Sequence, residues 1–278
     1  MATKNFIPAI WSETLLKSLD REYVAVMNCN RDFEGDIRNQ GDSVTIPTIG
    51  PISVFDYKSD TDMSAENLMD GGTVTLTIDR AKAFCFQIDD ADRVQTKPDL
   101  MKNAMREAAC ALADEADKYI FGLYEDAGKT LITGAITEDD IFHHIVKAIT
   151  ILRENNVTES QEAVIEVSPA VAALIIKAKI NLAVDSSEAL ETGCIGKIMG
   201  CKVFVSNNVV KEDCGDTNSF RCFVRTKRAI AFAEQLSEIE AYRPEKRFSD
   251  AVKGLHLYGA KVVYPNELVT LHINVYKD

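Results

Sequence analysis

Gly128-Lys129-Thr130, with Gly122 upstream, is built like part of a phosphate-binding loop, whose backbone amides and lysine cradle a nucleotide's phosphates. Five residues separate the two glycines where that loop requires four, and the segment closes a helical pattern instead of opening one after a strand. It reads as a helix-terminating loop. His143 and His144 follow Asp140, and Asp140 with His144 has the i, i+4 spacing that brings two metal ligands onto one helical turn. No His-Glu-x-x-His pattern surrounds them, and the apolar stripe of the same segment faces the other way, so a solvated polar face is expected. His256 and His272 fall in strand-like segments near the end of the chain and are read as ordinary sheet residues.

Seven cysteines (Cys29, Cys85, Cys110, Cys194, Cys201, Cys214, Cys222) are an odd number with no Cys-x-x-Cys pair, which indicates neither a disulfide framework nor a zinc site. Reduced, mostly buried thiols are expected, including Cys194 and Cys201 beside a glycine turn. There is no Gly-x-Ser-x-Gly elbow, and no serine or cysteine stands where a neighbouring base would activate it. Asn156-Val157-Thr158 is a formal glycosylation triplet without meaning in a reducing cytoplasm. The reading assigns no catalytic residue, no cofactor and no metal.

The most informative stretch is glycine-punctuated. From Gly193 to Val209 the chain reads Gly-Cys-Ile-Gly-Lys-Ile-Met-Gly-Cys-Lys-Val-Phe-Val-Ser-Asn-Asn-Val. Gly193, Gly196 and Gly200 allow backbone geometry closed to other residues, and Cys201 to Ser206 alternates as a strand that Asn207 and Asn208 end. We read these glycines as a structural turn.

Around this turn the hydrophobic period divides the chain. Ser12 to Val26 carries Leu15, Leu16, Leu19, Tyr23 and Val26 at helical spacing, and Asn28 to Gly41 is polar connection, so residues 1–41 form an arm with one helix. From Asp42 the period is two: Val44 and Ile46 alternate with Ser43 and Thr45, and Thr73 to Asp79 alternates strictly, continued by Phe84, Phe86 and Ile88. Between them lies a polar tip. If Thr73 to Ile88 were one strand it would reach about 50 Å. A two-stranded ribbon over 42–92 is marginal alone, so its apolar face is expected on another surface.

A long helix follows, opened by Pro98 and Asp99. Met101, Met105, Ala108, Leu112, Ala116, Tyr119 and Leu123 form one apolar stripe over about 40 Å. After Gly128 the texture is mixed α/β. Thr137 and Asp140 resemble a capping box for a helix bearing Ile141, Ile145, Ile149 and Leu152; Ala163 to Val167 is a buried strand; Ser168-Pro169 starts another helix. Strands are expected at Phe220–Arg225, Ala229–Glu234 and Ile239–Arg243, and Val252–Val263 with Leu268–Tyr276 reads as a terminal hairpin returning to the long helix.

The Gly-x-Ile-Met-Gly-x-x-Val-x-x-Ser-Asn stretch, the strand Ala229 to Ala233 and the Asn266-Glu267-Leu268-Val269 turn into the last strand resemble the major capsid proteins of tailed bacteriophages. The order of elements resembles that family over nearly the whole chain. The resemblance implies an α+β (mixed α/β) Hong Kong 97-type fold divided into an arm (1–41), an extended loop (42–92), a peripheral domain with a spine helix (93–134), an axial domain (135–247) and a return hairpin (248–278). It implies a structural protein, not an enzyme, whose hexamers and pentamers close into an icosahedral virion shell around double-stranded DNA in the bacterial host cytoplasm.

In that reading the extended loop lies over the neighbouring subunit, which makes Phe55, Asp56, Lys58, Asp60, Asp62, Glu66 and Asp70 the expected subunit contacts. Some family members crosslink a loop lysine to a neighbour's asparagine; Lys58 lies in that loop, but no matching partner motif is present and the chemistry is not carried over. The arm begins within a few residues of Met1, where many members have a cleaved scaffolding segment, so a separate scaffolding protein is expected. Portal and decoration proteins complete the implied partners. An encapsulin-like compartment holding a protein cargo is the alternative with the same fold, and a cytosolic α/β enzyme built on Gly128 to Tyr242 is a rival that leaves the ribbon unexplained.

Composition agrees with a container. The chain has 278 residues, 46% of them hydrophobic, enough for a sizeable core. No apolar run is long enough for a membrane helix, and Met1 to Trp11 lacks the form of a signal peptide. The net charge of −12, without clustered Lys and Arg, excludes specific binding to a phosphate backbone. A wall that does not bind the genome is compatible with enclosing it.

Overall fold

The period-two segments pair as expected: β1 (Ser43–Pro47) runs antiparallel to β2 (Thr73–Thr77), with Val44 opposite Leu76 and Ile46 opposite Val74. Hydroxyl side chains face solvent and aliphatic ones point to a single side. The computed structural model describes residues 15, 17–19, 22–33, 40–48, 72–89, 100–158, 161–178, 194–245 and 249–277.

After Asp79 the chain enters β3 (Arg80–Asp89), the edge of a three-stranded antiparallel sheet ordered β10 (Ile230–Tyr242), β11 (Ser249–Val262), β3. Thr73 to Ile88 is therefore not one long strand but two strands in different sheets. Packing explains the break. Ile46, Leu76 and Ile78 are buried against Ala231, Ala233, Leu257 and Val263, so the ribbon root lies across one face of that sheet. Each such side chain contributes about 1.5–3 kcal/mol relative to exposure. Gly259 permits the crossing, because a Cβ there would collide with the Thr77 carbonyl. The ribbon's apolar face, expected on another subunit, is covered at its root by the chain's own sheet.

Helix α1 (Leu100–Phe121) packs on β11 and β3. Met105, Leu112 and Ala116 of the predicted stripe are buried, with Ala108, Tyr119 and Leu123 partly so. Tyr119 meets Tyr258 edge-on at 5.7 Å between ring centroids, and Phe121 meets Phe223 at 5.4 Å. Phe223 belongs to a second, larger sheet, so α1 ties the two together.

That sheet has seven strands in the order β4 (Lys129–Ala135), β12 (Leu268–Tyr276), β9 (Thr217–Arg225), β5 (Val164–Val167), β7 (Cys201–Val205), β6 (Cys194–Ile198), with β8 (Lys211–Cys214) beside β9. On it pack α2 (Glu138–Glu154), whose Ile141, Ile145, Ile149 and Leu152 are all buried, and α3 (Pro169–Lys177). Thr137 is the N-cap of α2, but its hydroxyl bonds the Asp140 carboxylate at 3.2 Å. Ser168 caps α3 by accepting from the Val171 amide.

Pairing corrects three expectations. The last two strands do not form a hairpin: β11 joins β10 and β3, whereas β12 pairs with β4 and β9. The segments read as strands at Ala229–Glu234 and Ile239–Arg243 form one strand, β10, with a bulge at Leu236 to Glu238, and it lies outside the seven-stranded sheet. The supposed phosphate-loop segment enters β4 at Lys129 instead of ending a helix in a loop. In each case neighbours distant in sequence decide the sheet, which local period cannot encode.

The glycine turn holds. Met199 and Gly200 join β6 to β7 with φ of 49° and 85°, both in the left-handed region of a two-residue hairpin, and Gly196 (φ 149°) marks a bulge in β6. Gly193 lies outside the described residues. Gly200→Val should cost on the order of 1 to 3 kcal/mol in urea unfolding; unchanged stability with lost affinity for a small molecule would mean the turn holds a ligand.

Candidate functional site: the arm strap and its buried charges

The charged residues that matter most sit singly inside apolar strands. In β5, Val164-Ile165-Glu166-Val167, the Glu166 side chain is wholly buried. In β9 the same is true of Arg225, and the two form a bidentate pair, with both Nε and Nη2 donating to the carboxylate at 2.9 Å. The remaining guanidinium hydrogens reach the arm: Nη1 donates to the Asn28 carbonyl at 2.6 Å and lies 3.6 Å from Cys29 Sγ, and Nη2 donates to the Ala25 carbonyl at 2.9 Å. Asn28 returns its amide to Glu166 at 3.1 Å. All five guanidinium N–H groups thus have partners, which Lys could not reproduce. Burial opposes the charge on Arg225, and the Glu166 carboxylate outweighs it, so the guanidinium stays charged. The same burial pushes the Cys29 thiol up to about 11, leaving it unreactive.

The arm segment is held from the other side by α1. Asp117, buried in the helix, accepts from the backbone amides of Val24, Ala25 and Val26 at 3.0 to 3.1 Å. Burial raises its pKa to about 7, partly offset by these three donors. Residues 24–29 are thereby a strap clamped between the spine helix and the large sheet.

Further along, the strap reaches the small sheet. Asn30 donates its amide to the Ile230 carbonyl at 2.9 Å and accepts from Phe232 at 2.9 Å. Glu234 on β10 collects the hydroxyl of Tyr23, Arg31 at 2.7 Å and His256 of β11 at 2.7 Å. Burial would raise the Glu234 pKa, but these donors hold it below the ordinary carboxylate range. His256 is therefore no ordinary sheet residue: it is fully buried and bound to a carboxylate. A third carboxylate, Glu267, accepts from Thr226 at 2.6 Å and from Arg228 at 2.8 Å, fixing the crossing between the sheets at 226–229.

The residues singled out for chemistry behave otherwise. His143 and His144 lie on α2 with ring centroids 5.6 Å apart, His143 exposed, and no cluster of three or more metal-ligating side chains occurs among the described residues. His272 of β12 stacks edge-on against Tyr124 at 6.0 Å. Cys29, Cys194, Cys201 and Cys222 are buried, and Cys85 and Cys214 are exposed. Phe55, Asp56, Lys58, Asp60, Asp62, Glu66 and Asp70 all lie outside the described residues. No helix among the described residues is long and apolar enough to cross a membrane. The buried carboxylates escaped the sequence reading, although a lone Glu within Val-Ile-Glu-Val is the signal of a paired buried charge.

No protein-family model matches this chain, and no curated protein matches it in sequence. Solved structures do. A structure from Mycobacterium phage Che8 is 29% identical with a TM-score of 0.68, covering 90% of this chain and 90% of that one. The capsid of Ralstonia phage GP4 is 15% identical, TM-score 0.67, covering 90% and 87%. A virus-like particle from Pyrococcus furiosus is 10% identical, TM-score 0.57, covering 95% and 99%.

Two outcomes follow from the strap. Arg225→Met should cost about 3–5 kcal/mol, because it strands a buried carboxylate, and adding Glu166→Gln should cost far less than the sum of the single changes. Additive losses in thermal unfolding would mean that the pair is not coupled. Asp117 contributes stability below its unfolded pKa of about 3.9 that is lost as pH rises through about 7. Asp117→Asn should therefore be most destabilising near pH 5, by on the order of 2 kcal/mol, with the gap to wild type narrowing by pH 8; a constant gap across that range would contradict the assignment.

Proposed function

The chain has the Hong Kong 97-type fold of phage capsid proteins, and we propose that it is the major capsid protein of a tailed bacteriophage. Its role is structural rather than enzymatic. The observation that carries the reading is agreement with a phage protein over nine-tenths of both chains at 29% identity. Copies of the chain associate as hexamers and pentamers and close into an icosahedral shell around double-stranded DNA. A net charge of −12 suits an enclosure that does not grip its contents.

Assembly takes place in the bacterial cytoplasm with a separate scaffolding protein, a portal and, in some shells, decoration proteins. We keep the division into arm (1–41), extended loop, peripheral domain and axial domain, with the sheet pairing moving the chain's crossing to 226–229. The peripheral part is then α1 with β3, β10 and β11, and the axial part is the seven-stranded sheet with α2 and α3. The expected contacts from Phe55 to Asp70 belong to the loop tip. A compartment with a protein cargo is less supported, since the virus-like particle shares only 10% identity.

Electron microscopy of particles made by the chain with its scaffold, together with digestion of their contents, tests the function. Closed shells protecting double-stranded DNA from nuclease are expected; shells holding a protein cargo would establish the alternative. Replacing Asp56 to Gly71 with a short Gly-Ser turn should leave a cooperatively folding subunit with unchanged circular dichroism that forms no closed shells. Normal particles from this variant would show the tip to be dispensable.

A further inference from the structure

The face of the small sheet that carries the ribbon root is covered over only part of its length. Leu257 and Val263 lie under the ribbon. From Leu255 toward the start of β11, Ala83, Cys85, Lys253 and Tyr242 stay exposed. Cross-strand pairing sets Ala83 beside Leu255, and Cys85 beside Lys253 with Glu240 next to it, around a hollow of about 400 Å³ also lined by Gly254. An open apolar sheet face continuing an already buried one is incomplete as a surface.

The occupant is indicated by the ribbon's own pattern. Val44 and Ile46 are the apolar residues of β1 on the side that meets this sheet, and the same parity continues into Ile52 and Val54, joined by Phe55 and Tyr57. These residues precede the acidic run Asp56 to Asp70. The stripe that covers the near part of the face thus has, in phase, a second apolar portion matched to the uncovered part.

We infer that the hollow between Ala83, Cys85 and Leu255 receives the Ile52–Tyr57 stretch of a second copy of this chain. This rests on the capsid reading, in which copies lie side by side. The docking continues across the subunit boundary the contact that the ribbon root makes within one chain. It places Cys85 under the neighbour's loop.

Two native exposed thiols supply the test. Cys85 lies in the hollow, and Cys214 is on β8 in the other sheet. A brief maleimide pulse, read by peptide mass spectrometry, should label both in the free subunit. In assembled particles Cys85 should react at least tenfold more slowly relative to Cys214. Phe55→Cys should then form an intermolecular disulfide with Cys85 under mild oxidation, and Ala83→Arg, at an exposed edge position, should keep the subunit's melting curve while cutting particle yield at least tenfold. Cys85 labelling equally fast in particles overturns the inference but leaves the capsid reading standing. Protection of Cys85 with crosslinks to a different segment, or protection already in the free subunit, overturns the assigned occupant. Failure to form particles at all removes the capsid reading and the inference with it.

Discussion

The buried pair of Glu166 and Arg225 is the interaction on which the other contacts converge. It joins β5 to β9 at the centre of the large sheet, and its spare donors bind the carbonyls of Ala25 and Asn28. An ion pair alone would be a doubtful source of stability, because removing two charges from water offsets most of their attraction. Here the geometry is saturated: the guanidinium has five partners, and the carboxylate accepts a further bond from Asn28. A saturated pair tolerates only one placement of the strap. Shifting the arm by one residue would exchange carbonyl acceptors for amide donors and leave the charges unmatched.

Asp117 and Glu234 extend the same logic to the other layers. Asp117 binds three successive amides of the strap from the helix side, and Glu234 binds Tyr23 and Arg31 from the small sheet. Four elements distant in sequence thus share one strand of arm: α1, the large sheet, β10 and, through His256, β11. Apolar contacts between these layers are non-directional and would accept small slides. The buried polar contacts remove that freedom, which suits a subunit that must present the same outline in every copy.

How much of this was legible depends on range. The stripe of α1, the α2 helix, the paired ribbon strands and the Met199-Gly200 turn are written in local periods and backbone preferences, and they stand where the sequence places them. The membership of β10, β11 and β12 in two sheets is not, since Ser249 to Val262 is flanked on both sides and carries apolar residues facing two layers. The strap's partners were equally hidden, because Asp117 sits two hundred angstrom-scale contacts' worth of topology away from any local cue, in the stripe of a helix that reads as apolar. Glu166 and Arg225 could have been suspected from charge inside apolar runs, though not paired.

The ribbon root adds a consequence for association. Its apolar face is buried in cis by Ile46, Leu76 and Ile78, so the strands are ordered before any neighbour arrives. Ordering a flexible loop on binding costs roughly 0.5–1.5 kcal/mol for each immobilised side chain. A root already fixed on Gly259 and Leu257 confines that cost to the loop beyond Thr48 and Gly72. Each contact between copies can then be weak and reversible, which permits misplaced subunits to leave, while the number of contacts in a closed shell makes the whole durable. The strap and the ribbon root act together in this respect: one fixes the layers of the subunit, and the other fixes the base from which the loop departs.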